Sequence, residues 1–313
     1  MDIDLVDSEL RAGVRRFPSF LPFHSRRLQP VLQFLARLTA RTKTVDGVRT
    51  KDIDVGNARV RVYRPAVVDA GKAGMLWIHG GGLVIGTINM DNLRCSLYAR
   101  DLGIVVASVE YRLAPQNPFP AALEDCYAAW EWFQGAAAGL GVDPTRIVVA
   151  GASAGGGLAA SLAQRIHDCG GTQPIAQSLI YPMLDDRTAT RRDLDSVKHF
   201  VWSSSDNRGG WASYLGQAPG AESLPEYAAP SRRDDLSGLP PTWIGVGDLD
   251  LFYEENQDYA DRLLAAGVDC VLDVVPGAPH EFPLVAPGAP ISQAFLARNT
   301  DWLRDQLDIA RRT

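Results

Sequence analysis

Apolar and polar positions change their spacing several times along the chain, and each change marks an element. Leu28, Val31, Leu32, Leu35 and Leu38 recur at three- and four-residue steps, which predicts a helix with one apolar stripe. That stripe is expected to dock on the core, and the same helix qualifies as a lid over a pocket. Phe17, Phe20 and Phe23 precede it, interrupted by Pro18 and Pro22. From residue 51 the period falls to two: DIDV and ARVRVYRP alternate as the strands of a hairpin do. Short apolar runs then alternate with helical patterns. GMLWIHGGG leads to DNLRCSLYARDLG, IVVASVEYR to FPAALEDCYAAWEWF, and RIVVAG to SAGGGLAASLAQRI, with IAQSLIYP next. Strands apolar on both faces and separated by helices predict an α/β fold with a mostly parallel sheet.

The rhythm breaks from residue 186 to about 235. This stretch is polar and rich in Arg, Asp, Ser, Gly and Pro, with Trp202, Trp211 and Tyr214 interleaved. Alternation resumes with PTWIGVGD, a helix from about Tyr253 to Ala266, the strand VDCVLDVV and a closing helix near 291–309. The expected division is N-terminal cap helices (1–50), a first core part (51–185), a cap insertion (186–235) and a second core part (236–313). The chain has no internal repeat and no low-complexity tract.

Composition narrows the function classes. In 313 residues, 46% are hydrophobic and 22% charged, a globular balance. The formal net charge of −6 argues against a nucleic-acid surface. Cys95, Cys126, Cys169 and Cys270 form no C-x-x-C pair and are too sparse for a disulfide framework. They read as free thiols of a reducing compartment. The start, MDIDLVDSELRAG, is acidic and lacks an apolar signal core, and no apolar run is long enough to span a bilayer. A soluble cytoplasmic protein is expected, with homo-oligomerisation left open.

The candidate chemistry starts at IVVAGASAGGGLAASL, residues 147 to 162. A dinucleotide fingerprint requires glycine where Ser153 stands, and a P-loop requires lysine where Gly157 stands. G-x-S-x-G fits without adjustment: Gly151, Ala152, Ser153, Ala154, Gly155. In that motif a strand turns sharply into a helix with the serine at the apex. The glycines leave room for the close approach, and the helix N-terminus favours developing negative charge.

A serine hydroxyl needs a base to become a nucleophile. Of five histidines, His24 lies in the N-terminal segment, His167 far down the helix after Ser153, His199 in the insertion and His79 in HGGG. His280 follows the last strand in the loop GAPHEF, at the side of the sheet where ligands bind, and is the candidate base. The acid that orients it is expected at the end of WIGVG, where Asp248 and Asp250 both stand; residue chemistry alone does not choose between them. HGGG closes the first strong strand. Its bare backbone suits an oxyanion hole built from the N–H groups of Gly81, Gly82 and Ala154. His79, Gly80, Gly151 and Gly155 would then be structural supports.

With these residues in place, the chain resembles the hormone-sensitive-lipase-like branch of α/β-hydrolases, the bacterial family IV carboxylesterases. The resemblance covers about residues 50 to 310. It rests on HGGG, YRLAP at Tyr111 to Pro115, FPAALED at Phe119 to Asp125, and DPTRIVVAGASAGG. YPMLD at Tyr181 to Asp185, DLFYEE at Asp250 to Glu255 and the late HEF add to it. It implies an eight-stranded sheet and a helical cap made from the N-terminus and the insertion. The order serine, acid, histidine is the one expected of the fold. The motif opening at Asp250, with Glu254 and Glu255 in its acidic positions, favours Asp250 as the acid. Short- to medium-chain acyl esters are the implied substrates, and neither a metal nor an organic cofactor is implied. Leu83, Trp202, Trp211 and Tyr214 are candidate pocket residues. Hydrolysis of amides or peptides by the same groups, and a non-catalytic small-molecule receptor, are the alternatives. Four positions depart from the pattern. Ala152 stands where Asp or Thr is frequent, Leu83 where an aromatic often follows HGGG, Gln116 where glutamate is common, and Glu281 where glycine often follows the histidine.

Overall fold

The computed structural model describes residues 1–17, 22–40, 43–67 and 73–308. Phe20 and Pro18 of the N-terminal aromatic stretch lie outside them. The alternating segment forms a hairpin, β1 (Val48–Val55) and β2 (Ala58–Pro65), in register from Val55 opposite Ala58 to Val48 opposite Pro65. The apolar runs become β3 (Gly74–Ile78), β4 (Val105–Glu110), β5 (Ile147–Ala152), β6 (Ala176–Ile180), β7 (Thr242–Gly247) and β8 (Cys270–Val275). They make one eight-stranded sheet in the order β1-β2-β4-β3-β5-β6-β7-β8, with β2 antiparallel to both neighbours and every other pairing parallel.

Strands β3, β5, β6 and β7 are buried along their whole length because helices cover both faces. The helices are α1 (Arg11–Arg16), α2 (Gln29–Thr39), α3 (Asn92–Leu102), α4 (Ala121–Leu140), α5 (Ala154–Cys169), α6 (Ser204–Leu215), α7 (Tyr253–Ala265), α8 (Phe282–Val285) and α9 (Pro290–Gln306). Phe133 of α4, Leu158 and Leu162 of α5 and Leu263 of α7 pack on the face that receives Leu76 and Ile78. Tyr98 and Leu102 of α3 and Phe295 and Leu303 of α9 pack on the other, with Met75 and Trp77. The period-two alternation of β3 divides its side chains between these two cores.

The strand order places the chemistry. Chain-consecutive strands β4 and β5 lie on opposite sides of β3, so their connections leave in opposite directions. A crevice opens at the carboxyl ends of β3 and β5, where such a reversal occurs. HGGG follows β3 and Ser153 follows β5, so both motifs open onto that crevice.

The N-terminal segment and the stretch after residue 186 touch each other. The backbone N–H of Phe119 donates to Tyr214 O, and the Phe23 ring stacks on Trp202 at 5.9 Å. Gln29 donates to Phe23 O at 2.8 Å and accepts from Ser213 Oγ at 2.9 Å. α6 begins with a capping box in which Ser203 and Asp206 satisfy each other's backbone N–H, and Asp206 also accepts from the His24 backbone N–H.

One expectation holds only in part. Of the apolar stripe of α2, Leu32 alone packs on the core, half-buried. The fully buried residues of the helix are Gln29 and Gln33, whereas Leu28, Val31, Leu35 and Leu38 are 44%, 54%, 48% and 53% exposed. Gln33 Nε2 donates to Val84 O and Ala114 O, both at 2.8 Å. Two carbonyls of irregular backbone beside HGGG need donors, and an amide side chain supplies them where leucine cannot. No helix among the described residues is long and apolar enough to cross a membrane.

Gln33→Ala leaves both carbonyls without that donor. It is expected to cost about 1–3 kcal/mol in urea unfolding; a loss within error would show that the clamp contributes nothing.

Candidate active site

Ser153 stands between β5 and α5 with φ 55° and ψ −122°, a conformation that L-residues adopt only under constraint. Three backbone hydrogen bonds hold it. Its N–H donates to Ile180 O at 2.8 Å, and its carbonyl accepts from Met183 at 3.0 Å and Gly157 at 3.1 Å. The flanking glycines are required by contact. A Cβ on Gly155 would overlap the carbonyl oxygens of Ile78 and His79, and one on Gly151 the backbone of Gly155. The turn therefore brings β5, α5 and the end of β3 together at one point, with the hydroxyl at the apex.

His280 reaches it from the loop after β8. Nε2 lies 2.9 Å from Ser153 Oγ, and Nδ1 lies 2.7 Å from Asp250 Oδ2. The other carboxylate oxygen of Asp250 accepts from the Phe252 N–H at 2.9 Å, which fixes the acid. Asp248 is exposed, and its Oδ1 accepts from the Gly277 N–H at 2.7 Å. It ties the β7 and β8 loops together and does not touch the ring. Tyr181 and Phe252 meet the imidazole edge-on at 5.0 and 5.1 Å. Ser153, Asp250 and His280 are all buried, so the chain of hydrogen bonds runs in a low-dielectric setting.

Burial by itself would lower the His280 pKa. The Asp250 charge and hydrogen bond, joined by the Glu281 charge, outweigh it and leave the pKa above the ordinary histidine value. Glu281 sits in the left-handed region at φ 54°, its carboxylate beside Gly80, and burial raises its own pKa.

The HGGG loop curls under this group. His79 stacks on Tyr111 at 4.3 Å and its Nδ1 pairs with Gly80 O at 2.8 Å, while Tyr111 donates its hydroxyl to His79 O at 3.0 Å. Gly81 and Gly82 have φ +115° and +59°. Among the described residues, the N–H groups of Gly81, Gly82 and Ala154 donate to no protein acceptor. Trp202 lies directly on Gly82; its indole occupies the place a Cβ would take. Leu83, also at positive φ, is buried next to the loop. Trp211 and Tyr214 are fully buried and pack on each other at 6.0 Å.

The remaining histidines are elsewhere. His24 pairs with Asp206 at 3.3 Å, His167 packs near Gly238, and His199 stands in the insertion with Nδ1 unpartnered. No cluster of His, Cys, Asp and Glu suited to a metal ion occurs among the described residues. Two open polar depressions of about 490 and 660 Å³ lie at Arg59 and Glu110 and at Arg187 and Arg262; neither includes Ser153 or His280. Reading the sequence missed the ring contacts of Tyr181 and Phe252, although both lie inside motifs already singled out. It also missed Arg94, which lies over Trp77 at 5.6 Å and acts electrostatically on Glu281; nothing in the sequence marks Arg94.

A family model described as the alpha/beta hydrolase fold matches residues 75–284. The chain belongs to the α/β-hydrolases. Within that family its motifs place it in the hormone-sensitive-lipase-like branch. Carboxylesterase NlhH of Mycobacterium tuberculosis is 36% identical over 282 residues, covering 84% of this chain and 82% of the relative. Ethyl acetate hydrolase of Pseudomonas putida is 33% identical over 226 residues, covering 71% and 70%. The solved structure of a bacterial heroin esterase superposes on this α/β-hydrolase with TM-score 0.90 at 36% identity, covering 97% of this chain and 99% of that one.

Two outcomes follow from the geometry. Asp250→Asn should lower kcat by about 10⁴, because an amide favours the wrong imidazole tautomer. Asp248→Asn should leave kcat within a few-fold, and equal losses in the two variants would refute the assignment. Glu281→Gln removes a charge that favours the protonated ring. A ring that serves as the base works only when neutral, so the acid limb of the kcat/KM profile should move to lower pH; an unmoved limb would show that Glu281 does not act on His280.

Proposed function

We propose that the protein is a serine carboxylesterase that hydrolyses short- to medium-chain acyl esters through an acyl-enzyme. The observation that carries this is the hydrogen-bonded series Ser153, His280, Asp250 beside three uncommitted backbone N–H groups. His280 Nε2 takes the proton of Ser153 as Oγ attacks the ester carbonyl. The carbonyl oxygen gains charge and is met by the N–H groups of Gly81, Gly82 and Ala154, each of which contributes roughly 3–4 kcal/mol in such sites. Asp250 stabilises the imidazolium. The imidazolium then protonates the leaving alkoxide, and the alcohol departs. A water molecule deprotonated by His280 attacks the acyl-enzyme, and Ser153 recovers its proton as the acid is released. No step requires a metal or organic cofactor.

The named relatives support an ester as substrate. One is called an ethyl acetate hydrolase, and another structure a heroin esterase. Residues 1–50 and 186–235 act together as the cap in this reading, supported by the contacts of Phe23, Gln29 and His24 with Trp202, Ser213 and Asp206. Trp202, seated on Gly82, limits the length of the acyl group, while Leu83 borders the same space. Trp211 and Tyr214 shape that wall from behind. A cytoplasmic location accords with the four free thiols.

Ser153→Ala should lower kcat on p-nitrophenyl esters by about 10⁶. In the wild type, kcat/KM should peak at short to medium acyl chains. Ordinary turnover by the variant would refute the nucleophile, and best activity on long-chain emulsions would refute the substrate class.

A further inference from the structure

The outward stripe of α2 is unexplained by ester hydrolysis. Leu28, Val31, Leu35 and Leu38 fall within a narrow sector of the helix, with Phe34, 62% exposed, at its edge. The sector lies opposite Gln29 and Gln33, through which the helix is clamped to the body of the protein. These five account for nearly half of the large hydrophobic side chains exposed on the described surface. A contiguous apolar face of this kind marks a surface that something covers.

The charge around it says what. Between Glu9 and Asp46 the chain has no Asp or Glu, in a protein whose formal net charge is −6, so the segment that carries α2 has basic residues and no acids of its own. Arg26 and Arg27, just before α2, are exposed and form no ion pair with a described residue, and the same holds for Lys43 beyond it. A second copy of the chain fits this face poorly, because a two-fold contact sets like patch against like and opposes arginine to arginine. An anionic lipid surface satisfies both features: acyl chains take the stripe, and headgroup phosphates take the arginines.

We propose that α2 is an interfacial helix that seats the protein on anionic membranes, with Leu28, Val31, Phe34, Leu35 and Leu38 in the acyl boundary and Arg26 and Arg27 at the headgroups. The helix lies flat and does not span the bilayer. The surface stands independently of the ester-hydrolase reading, since none of its residues touches Ser153, Asp250 or His280. It has a consequence for that reading all the same. Gln33 joins α2 to Val84 and Ala114 beside HGGG, so a seated protein holds its cap side toward the lipid, where apolar esters concentrate.

The test is flotation of the full chain with vesicles of phosphatidylcholine alone, or with roughly 30% phosphatidylglycerol. The expected result is at least about ten-fold stronger binding to the anionic vesicles at low salt, weakened by ~0.5 M NaCl. Val31→Glu/Leu35→Glu should lower that binding about ten-fold or more. Arg26→Gln/Arg27→Gln should bring it down toward the level of neutral vesicles. Because these positions are exposed, both variants should retain the wild-type Tm and hydrolysis of a soluble ester. Absence of binding to anionic vesicles, or binding that survives Val31→Glu/Leu35→Glu unchanged, would overturn the proposal. So would a solution dimer that this variant dissociates while the wild type ignores lipid, which would assign the face to a second copy.

Discussion

The backbone at Ser153 is the constraint from which the rest of the site follows. A residue held at φ 55° and ψ −122° costs on the order of 1–3 kcal/mol. That cost is met by neighbours that leave the chain no alternative. Ile180, Met183 and Gly157 fix both peptide groups of the turn, and Gly151 and Gly155 permit the approach of β3 and α5. Relaxing the turn would break the seam between three elements at once. The same turn carries Oγ of Ser153 and, one residue on, the first N–H of α5, so the proposed nucleophile and one proposed oxyanion donor are placed by a single feature.

Around that turn the proposed reaction divides its tasks by distance from the serine. His280 is gripped on four sides: by Ser153 and Asp250 through its nitrogens, and by Tyr181 and Phe252 against its edges. A ring so confined loses little freedom when it accepts a proton, which favours transfer over wandering. HGGG is stiffened from behind by the stack of His79 on Tyr111, so its bare N–H groups are preorganised although glycine itself is flexible. Glu281 adds the charge of a second carboxylate to that of Asp250 at His280.

Legibility in the sequence followed the source of each constraint. Strand and helix order was readable because period-two and helical spacing are local, and each run from GMLWI to VDCVLDVV has its strand. HGGG and G-x-S-x-G were readable because the strain they serve demands glycine at fixed offsets. The choice between Asp248 and Asp250 was not readable from residue chemistry. Both end the same strand, and only the positions of Gly277 and Phe252 in space show which one faces the ring. The direction of α2 was misread for a related reason. Helical spacing reveals that a stripe exists, and the habit of burying it is only a tendency. Here Gln33 turns inward to serve the carbonyls of Val84 and Ala114, and Gln29 to serve that of Phe23, which leaves Leu32 half-buried and the rest of the stripe out.

The most direct measurement of the central claim is intact-mass spectrometry after reaction with a fluorophosphonate, with the adduct located by peptide mapping. An activated serine at the apex of the β5–α5 turn predicts one adduct per chain, on Ser153, and almost none when His280 is replaced by alanine. Labelling on another residue, or labelling of Ser153 at the same rate without the imidazole, would contradict it.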